Sequence, residues 1–281
     1  MNNISKIFIG LIGLNFSFGG ANAQLSFDFS DIDEVPGSAT TYSTAGDQWR
    51  ANNVETIDGD ILYAIFTIFE TSVGSSTGDI RFINDESEGQ DLRMRFDNRD
   101  GTISTPMWAK VNVMFYDTAT DDEFVFTAGD TILTQFDDLD SDATFDRSDF
   151  GGIRQGDYGS VSLNSPTNLV TDNSIGSGDA EGDFTYGILD TPWGPEGNET
   201  STDPVDQAPY TVQFDTTLGT GTFSFDFIMG YDSGGISTVS GNRHIDMDMT
   251  GILIPEPGTL LMAGIFLCSF GGLHLLKRRG N

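Results

Sequence analysis

The sequence predicts an all-β body, built as an antiparallel β-sandwich. Three observations carry that prediction. Apolar and polar residues alternate in short runs, the period of a strand with one buried face. Asp outnumbers Glu by 33 to 9 between residues 24 and 254. Asp favours turns and cation sites, whereas Glu favours helices. Away from the two chain ends, no stretch of helix length carries a 3.6-residue apolar stripe.

The elements follow in order. Leu25-Ser26-Phe27-Asp28-Phe29 is the first alternating run. Ile61-Leu62-Tyr63-Ala64-Ile65-Phe66-Thr67-Ile68-Phe69 is apolar on both sides and is placed as a central strand. Leu92-Arg93-Met94-Arg95-Phe96 and Val111-Asn112-Val113-Met114-Phe115 alternate again. Thr131-Ile132-Leu133-Thr134-Gln135-Phe136 reads as a further strand. Phe223-Ser224-Phe225-Asp226-Phe227 and Ile245-Asp246-Met247-Asp248-Met249 complete the set. Clusters of Gly, Asp, Asn and Ser separate the runs. Sheets of this kind bury their Phe, Ile and Met faces against each other, in a sandwich with a jelly-roll as one form.

Residues 151–209 differ, holding 10 Gly and 5 Pro. Structureless loops of that length are uncommon in compact domains. Either short strands lie near Val161-Ser162-Leu163 and Phe184-Thr185-Tyr186, or the segment is a large excursion over the sheet. The expectation is one domain, 24–254, with a long loop-rich insertion at 151–209.

Composition narrows the function. The chain of 281 residues carries 13 Lys+Arg against 43 Asp+Glu, a net charge of -30. That excludes the basic footprint of a nucleic-acid binder. The 22 Phe argue against disorder, and the single Cys excludes a disulfide framework or a cysteine zinc site within one chain. No nucleotide-binding glycine loop or Gly-x-Ser-x-Gly elbow occurs in a strand-to-helix setting. His244 is the one histidine between 24 and 254 and reads as structural. Trp49, Trp108 and Trp193 are candidates for stacking on sugar rings, with packing the commoner fate.

One segment carries chemistry of its own. In Asp138-Leu139-Asp140-Ser141-Asp142-Ala143-Thr144-Phe145-Asp146-Arg147-Ser148-Asp149, Asp stands at positions 1, 3, 5, 9 and 12 of a twelve-residue loop. A calcium loop uses those positions, with the backbone carbonyl of position 7, here Thr144. Ala143 stands where the sharp turn wants Gly, and Asp149 replaces the longer Glu. Two carboxylates ~6 Å apart repel by roughly 0.7 kcal/mol in bulk water and about 3 kcal/mol at an effective dielectric of 20. Six Asp lie between 137 and 149 with Arg147 to offset them. The segment therefore splays into solvent or holds a cation, and Ca²⁺, through Asp138, Asp140, Asp142, Thr144, Asp146 and Asp149, is the one cofactor the sequence points to.

The ends read as addresses. Lys6, the apolar stretch from Ile7 to Leu14 and the small-x-small site Ala21-Asn22-Ala23 form a secretory signal peptide, 1–23, cleaved before Gln24 by signal peptidase. At the other end, an apolar run, 260–276, is near the lower limit for a membrane-spanning helix. Lys277-Arg278-Arg279 follows at once and stops it on the cytoplasmic side. Pro255-Glu256-Pro257 stands just before it, and two prolines around a carboxylate keep the chain extended there.

Pro-Glu-Pro, an apolar helix and an Arg-rich end, in that order over 255–281, resemble the PEP-CTERM sorting domain of Gram-negative bacteria. The resemblance implies that an exosortase recognises Pro255, Glu256 and Pro257, cleaves nearby, and releases the protein or attaches it at the cell surface. It also implies the company of exopolysaccharide and biofilm matrix. The expected protein is exported, held briefly at the inner membrane, and then displayed at the surface or outside. It is a non-catalytic surface or matrix protein that binds polysaccharide, a partner or calcium. The competing expectation is a secreted hydrolase of matrix glycans.

Overall fold

The computed structural model describes residues 23–35, 44–56, 59–72, 79–83, 92–98, 106–137, 139, 141–142, 147–172, 183–189, 208–232 and 241–253. They fall within one compact unit, Asn22–Ile254. The strands are β1 (Ala23–Glu34), β2 (Gln48–Thr56), β3 (Gly59–Thr71), β4 (Asp79–Ile83), β5 (Leu92–Asn98) and β6 (Met107–Asp117). Then come β7 (Val125–Phe126), β8 (Thr131–Asp137), β9 (Ser141–Asp142), β10 (Arg147–Arg154), β11 (Ser160–Leu163) and β12 (Leu169–Asp172). The last are β13 (Phe184–Leu189), β14 (Val212–Thr217), β15 (Gly221–Thr222), β16 (Ser224–Asp232) and β17 (Gly241–Leu253), with one 3-10 turn at Ala208–Tyr210. Every pairing is antiparallel.

The alternating runs of the sequence fall on β1, β3, β5, β6, β8, β16 and β17. Strand β3 lies between β2 and β6, as its apolar character predicts. The glycine- and proline-rich segment contributes β11 and β13 at the two expected places, and also β12, which the sequence did not predict.

The main sheet runs β11-β14-β8-β17-β1-β2-β3-β6-β16-β10-β13-β12, with β5 on β17, β4 on β5 and β9 on β10, and β7 and β15 form a separate two-stranded ladder. Side chains fold this ribbon into two facing layers. Phe136 of β8 packs on Phe227 of β16 at 6.1 Å, and Phe96 of β5 meets Tyr231 of β16 edge-on at 6.2 Å. One layer therefore includes β14, β8, β17 and β5; the other includes β2, β3, β6, β16, β10 and β13. The inner faces form the core, with Phe66, Phe96, Phe115, Phe136, Phe214 and Phe227 all 0–1% exposed. The layers approach closely at Gly151, where an added Cβ would lie 2.6 Å from the Phe136 ring.

Candidate ligand-binding face

Cross-strand register decides which outward side chains meet. On the outer face of the second layer, Gln48, Thr67, Asn112 and Asp226 stand opposite one another on β2, β3, β6 and β16. Arg154 of β10 extends the row by an ion pair to Asp226 Oδ2, and Phe184 of β13 stands opposite Arg154. Gln48 Nε2 donates to Thr67 Oγ1 at 3.0 Å, and Asn112 Nδ2 donates to Asp226 Oδ1 at 2.7 Å. Asp157, on the turn after β10, accepts from the Asp226 backbone N–H at 2.9 Å. Burial pushes the Asp157 carboxyl up, and that hydrogen bond opposes the shift.

One row along, Asp33, Arg50, Ile65 and Met114 stand opposite one another on β1, β2, β3 and β6. Arg50 lies over the Tyr63 ring at 3.6 Å, and Tyr63 stacks on Tyr116 at 5.1 Å. Asp33 accepts from Asn52 instead, and Arg50 Nε has no hydrogen-bond partner. Tyr63 donates to Asp121 Oδ1 at 2.7 Å. Burial, then that hydrogen bond, push the Tyr63 phenol up to about 12.

On its other side the polar row borders an outer aromatic cluster of Trp108, Phe150, Phe184, Tyr186 and Ile228, each at most 7% exposed. Gly230 lets this cluster lie against the sheet, because an added Cβ would fall 2.7 Å from Phe150 and Trp108. Lys110 is buried at its rim, 5.0 Å from the Trp108 ring and bonded to Glu70 at 2.9 Å. Trp108 therefore packs, and so does Trp49 in the inner core; Trp193 lies outside the described residues.

The outer face of the first layer is acidic. Asp137 of β8 stands opposite Asp246 of β17, and Gln135 stands opposite Asp248. Asp137 Oδ1 accepts from Thr211 at 2.6 Å, Gln135 Nε2 donates to both Asp137 oxygens, and Gln213 donates to Gln135. Arg93 of β5 clamps Asp246 with two bonds of 2.6 and 2.7 Å. Burial, opposed by the Thr211 and Gln135 hydrogen bonds and reinforced by Asp248 and Asp246, pushes Asp137 up to about 6. Burial also pushes Asp248 up.

The sequence-predicted site residues fall as follows. Asp142 pairs with Arg147 in the β9–β10 ladder, so the described residues of the acidic segment include two short antiparallel pieces of strand. Asp149 is fully buried on β10, opposite Tyr231. Asp138, Asp140, Thr144 and Asp146 lie outside the described residues, as do Ala21, Pro255, Glu256, Pro257, Lys277, Arg278 and Arg279. Ala23 and Gln24 begin β1, opposite Leu253 and Ile252. Among the described residues no helix is long and apolar enough to cross a membrane, and no group of three His, Cys, Asp or Glu is set to hold a metal. Neither outer-face row was singled out from sequence. Alternation marks Asn112 and Asp226 as the polar side of their runs and does not reach Gln48, Thr67 or Arg154, and the meeting of all five depends on pairing across long stretches of chain.

No protein-family model matches the chain, and no curated protein matches it. Solved structures similar to the chain at low identity include the following three. One is the N-terminal domain of the Streptococcus gordonii adhesin Sgo0707, at TM-score 0.49 and 11% identity, covering 84% of this chain. This chain spans 64% of that structure's length. The adhesin domain of PrgB from Enterococcus faecalis bound to DNA has TM-score 0.45 and 14% identity, covering 82% of this chain and 72% of that one. The glucan binding protein C of Streptococcus mutans has TM-score 0.45 and 10% identity, covering 83% and 77%. Likeness at this level carries no argument about ligand or role.

Proposed function

We propose that the chain is an exported, non-catalytic binding protein of the cell surface or extracellular matrix. Its all-β body presents a face for an extracellular polysaccharide, and its two ends direct export and exosortase sorting. The observation that carries the binding role is the outer face of β2, β3, β6, β16 and β10. Hydrogen-bonding side chains line up there across five strands, beside an arginine that lies on Tyr63, whose ring stacks on Tyr116. The signal-peptide pattern and the Pro255-Glu256-Pro257 tail support the export and sorting roles.

The hydrolase alternative draws on Asp137, whose raised pKa suits a general acid. Yet Asp137 is 9% exposed and its oxygens are engaged by Thr211 and Gln135, which favours a structural carboxyl. Calcium on residues 138–149 remains part of the proposal as a stabilising ion.

Expression of the full chain with fractionation and glycan-array binding tests the reading. A surface or extracellular form starting at Gln24, sorted only with Glu256 intact and retained on polysaccharide, is expected. A full-length chain held in the cytosol, or a Glu256→Ala chain sorted normally, overturns the respective half. Release of reducing ends by wild type and not by Asp137→Asn would establish the hydrolase instead.

A further inference from the structure

The geometry points to the kind of polysaccharide and to how it lies; this inference rests on the binding role proposed above. We infer that the face holds an uncharged, hydroxyl-rich chain running across the strands, along the row from Gln48 to Arg154. Neighbouring strands are about 4.8 Å apart, so side chains on five of them repeat polar groups over about 19 Å. A row of that length suits a polymer rather than a single small molecule.

The groups in the row suit hydroxyls. Thr67 accepts from Gln48 and keeps its own O–H to donate. Asn112 spends its amide N–H on Asp226 and Phe225 O, which leaves its carbonyl oxygen to accept. A sugar hydroxyl both donates and accepts, so it satisfies both neighbours in turn. Beside the row, the half-buried Tyr116 ring offers a flat apolar surface for the C–H face of a sugar.

Charge selects the uncharged class. Asp226 already neutralises Arg154. Arg50 is held on the Tyr63 ring, and no carboxylate pairs with it among the described residues. One unpaired arginine faces a molecule of net charge -30, whose field repels a polyanionic chain. The Arg50 guanidinium carries N–H donors that a sugar hydroxyl oxygen can accept, so the residue contributes hydrogen bonds while the net charge disfavours an anionic chain.

The test is affinity electrophoresis of the full chain through gels holding dextran, galactomannan or mixed-linkage β-glucan, with polygalacturonate as the anionic probe. Wild type is expected to be retarded by at least one neutral polymer and not by polygalacturonate. The double variant Thr67→Val with Asn112→Ala, and separately Arg50→Ala, should weaken that retardation tenfold or more. Asp137→Asn, on the opposite outer face, should leave it unchanged. Unaltered circular dichroism of each variant separates lost contacts from lost folding; Thr67→Val alone, nearly isosteric, serves if the double variant unfolds. Neutral-polymer binding that the face variants leave intact overturns this placement while the general binding role stands. Retardation by polygalacturonate alone overturns the uncharged class. Retardation by none of the four overturns the inference and the polysaccharide role together.

Discussion

At the scale of single residues, Asp137 shows how burial sets chemistry. It sits on β8 among Gln135 on its own strand, Thr211 and Gln213 at β14, Asp246 and Asp248 on β17, and Arg93 on β5. Arg93 is committed to Asp246. The folded pKa, about 6, lies above the ordinary 3.8, so the folded state binds the proton more tightly than the unfolded one. This group's contribution to stability is therefore complete below about pH 4 and is lost as pH rises to about 6. The span corresponds to at most about 3 kcal/mol. Asp137→Asn should remove that fall, which denaturant melts of variant and wild type at pH 4, 5, 6 and 7 measure. The neighbouring pair behaves differently. Arg93 and Asp246 are buried and doubly bonded, and Arg93→Ala leaves an uncompensated carboxylate. A loss of about 3–5 kcal/mol in the same melts is expected.

At the scale of elements, the facing layers depend on a large ring meeting a missing side chain. Phe136 of β8 fills the space over Gly151 of β10 and contacts Phe214 and Phe227 at 5.9 and 6.1 Å. Gly151→Ala would push a methyl into that ring, and Phe136→Ala would open a cavity. Costs of about 1–3 and about 3–5 kcal/mol are expected, read as lowered melting temperatures. Much of this level was legible in the sequence. Alternation located Phe136 and Phe227 on strands with buried faces, because a strand's two sides are written directly in a period of two. The partner of each strand was not legible. Asn112 meets Asp226 from 114 positions away, and Arg93 meets Asp246 from 153. No local pattern encodes such pairings, so the polar row and the acidic cluster stayed hidden: Asn112, Asp226 and Asp246 were visible as the polar side of alternating runs, whereas Gln48, Arg154 and Asp137 lay outside every run and Thr67 lay in one apolar on both sides. The acidic segment 138–149 was conspicuous for the opposite reason: its charges are adjacent in the chain itself.

At the scale of the whole molecule, a net charge of -30 acts in two separable ways. Diffuse repulsion among surface carboxylates loosens the folded state and is relieved by any salt, because the screening length shrinks to about 10 Å at 0.1 M. A cation bound at 138–149 would add a second effect that depends on the identity of the ion. Binding to the folded state stabilises it by RT ln(1 + [L]/Kd). For an extracellular-type site of about 10⁻³ to 10⁻⁴ M, 10 mM Ca²⁺ gives about 1.4–2.7 kcal/mol. For a body of this size that is a rise of roughly 3–10 °C. The comparison must be made against NaCl of matched ionic strength, which reproduces the screening without the coordination. Ca²⁺ should then raise the melting temperature beyond NaCl, and Asp140→Ala with Asp142→Ala should erase the excess while leaving the NaCl response in place. Equal rises in the two salts would assign the whole response to screening and leave the acidic segment as a solvated turn.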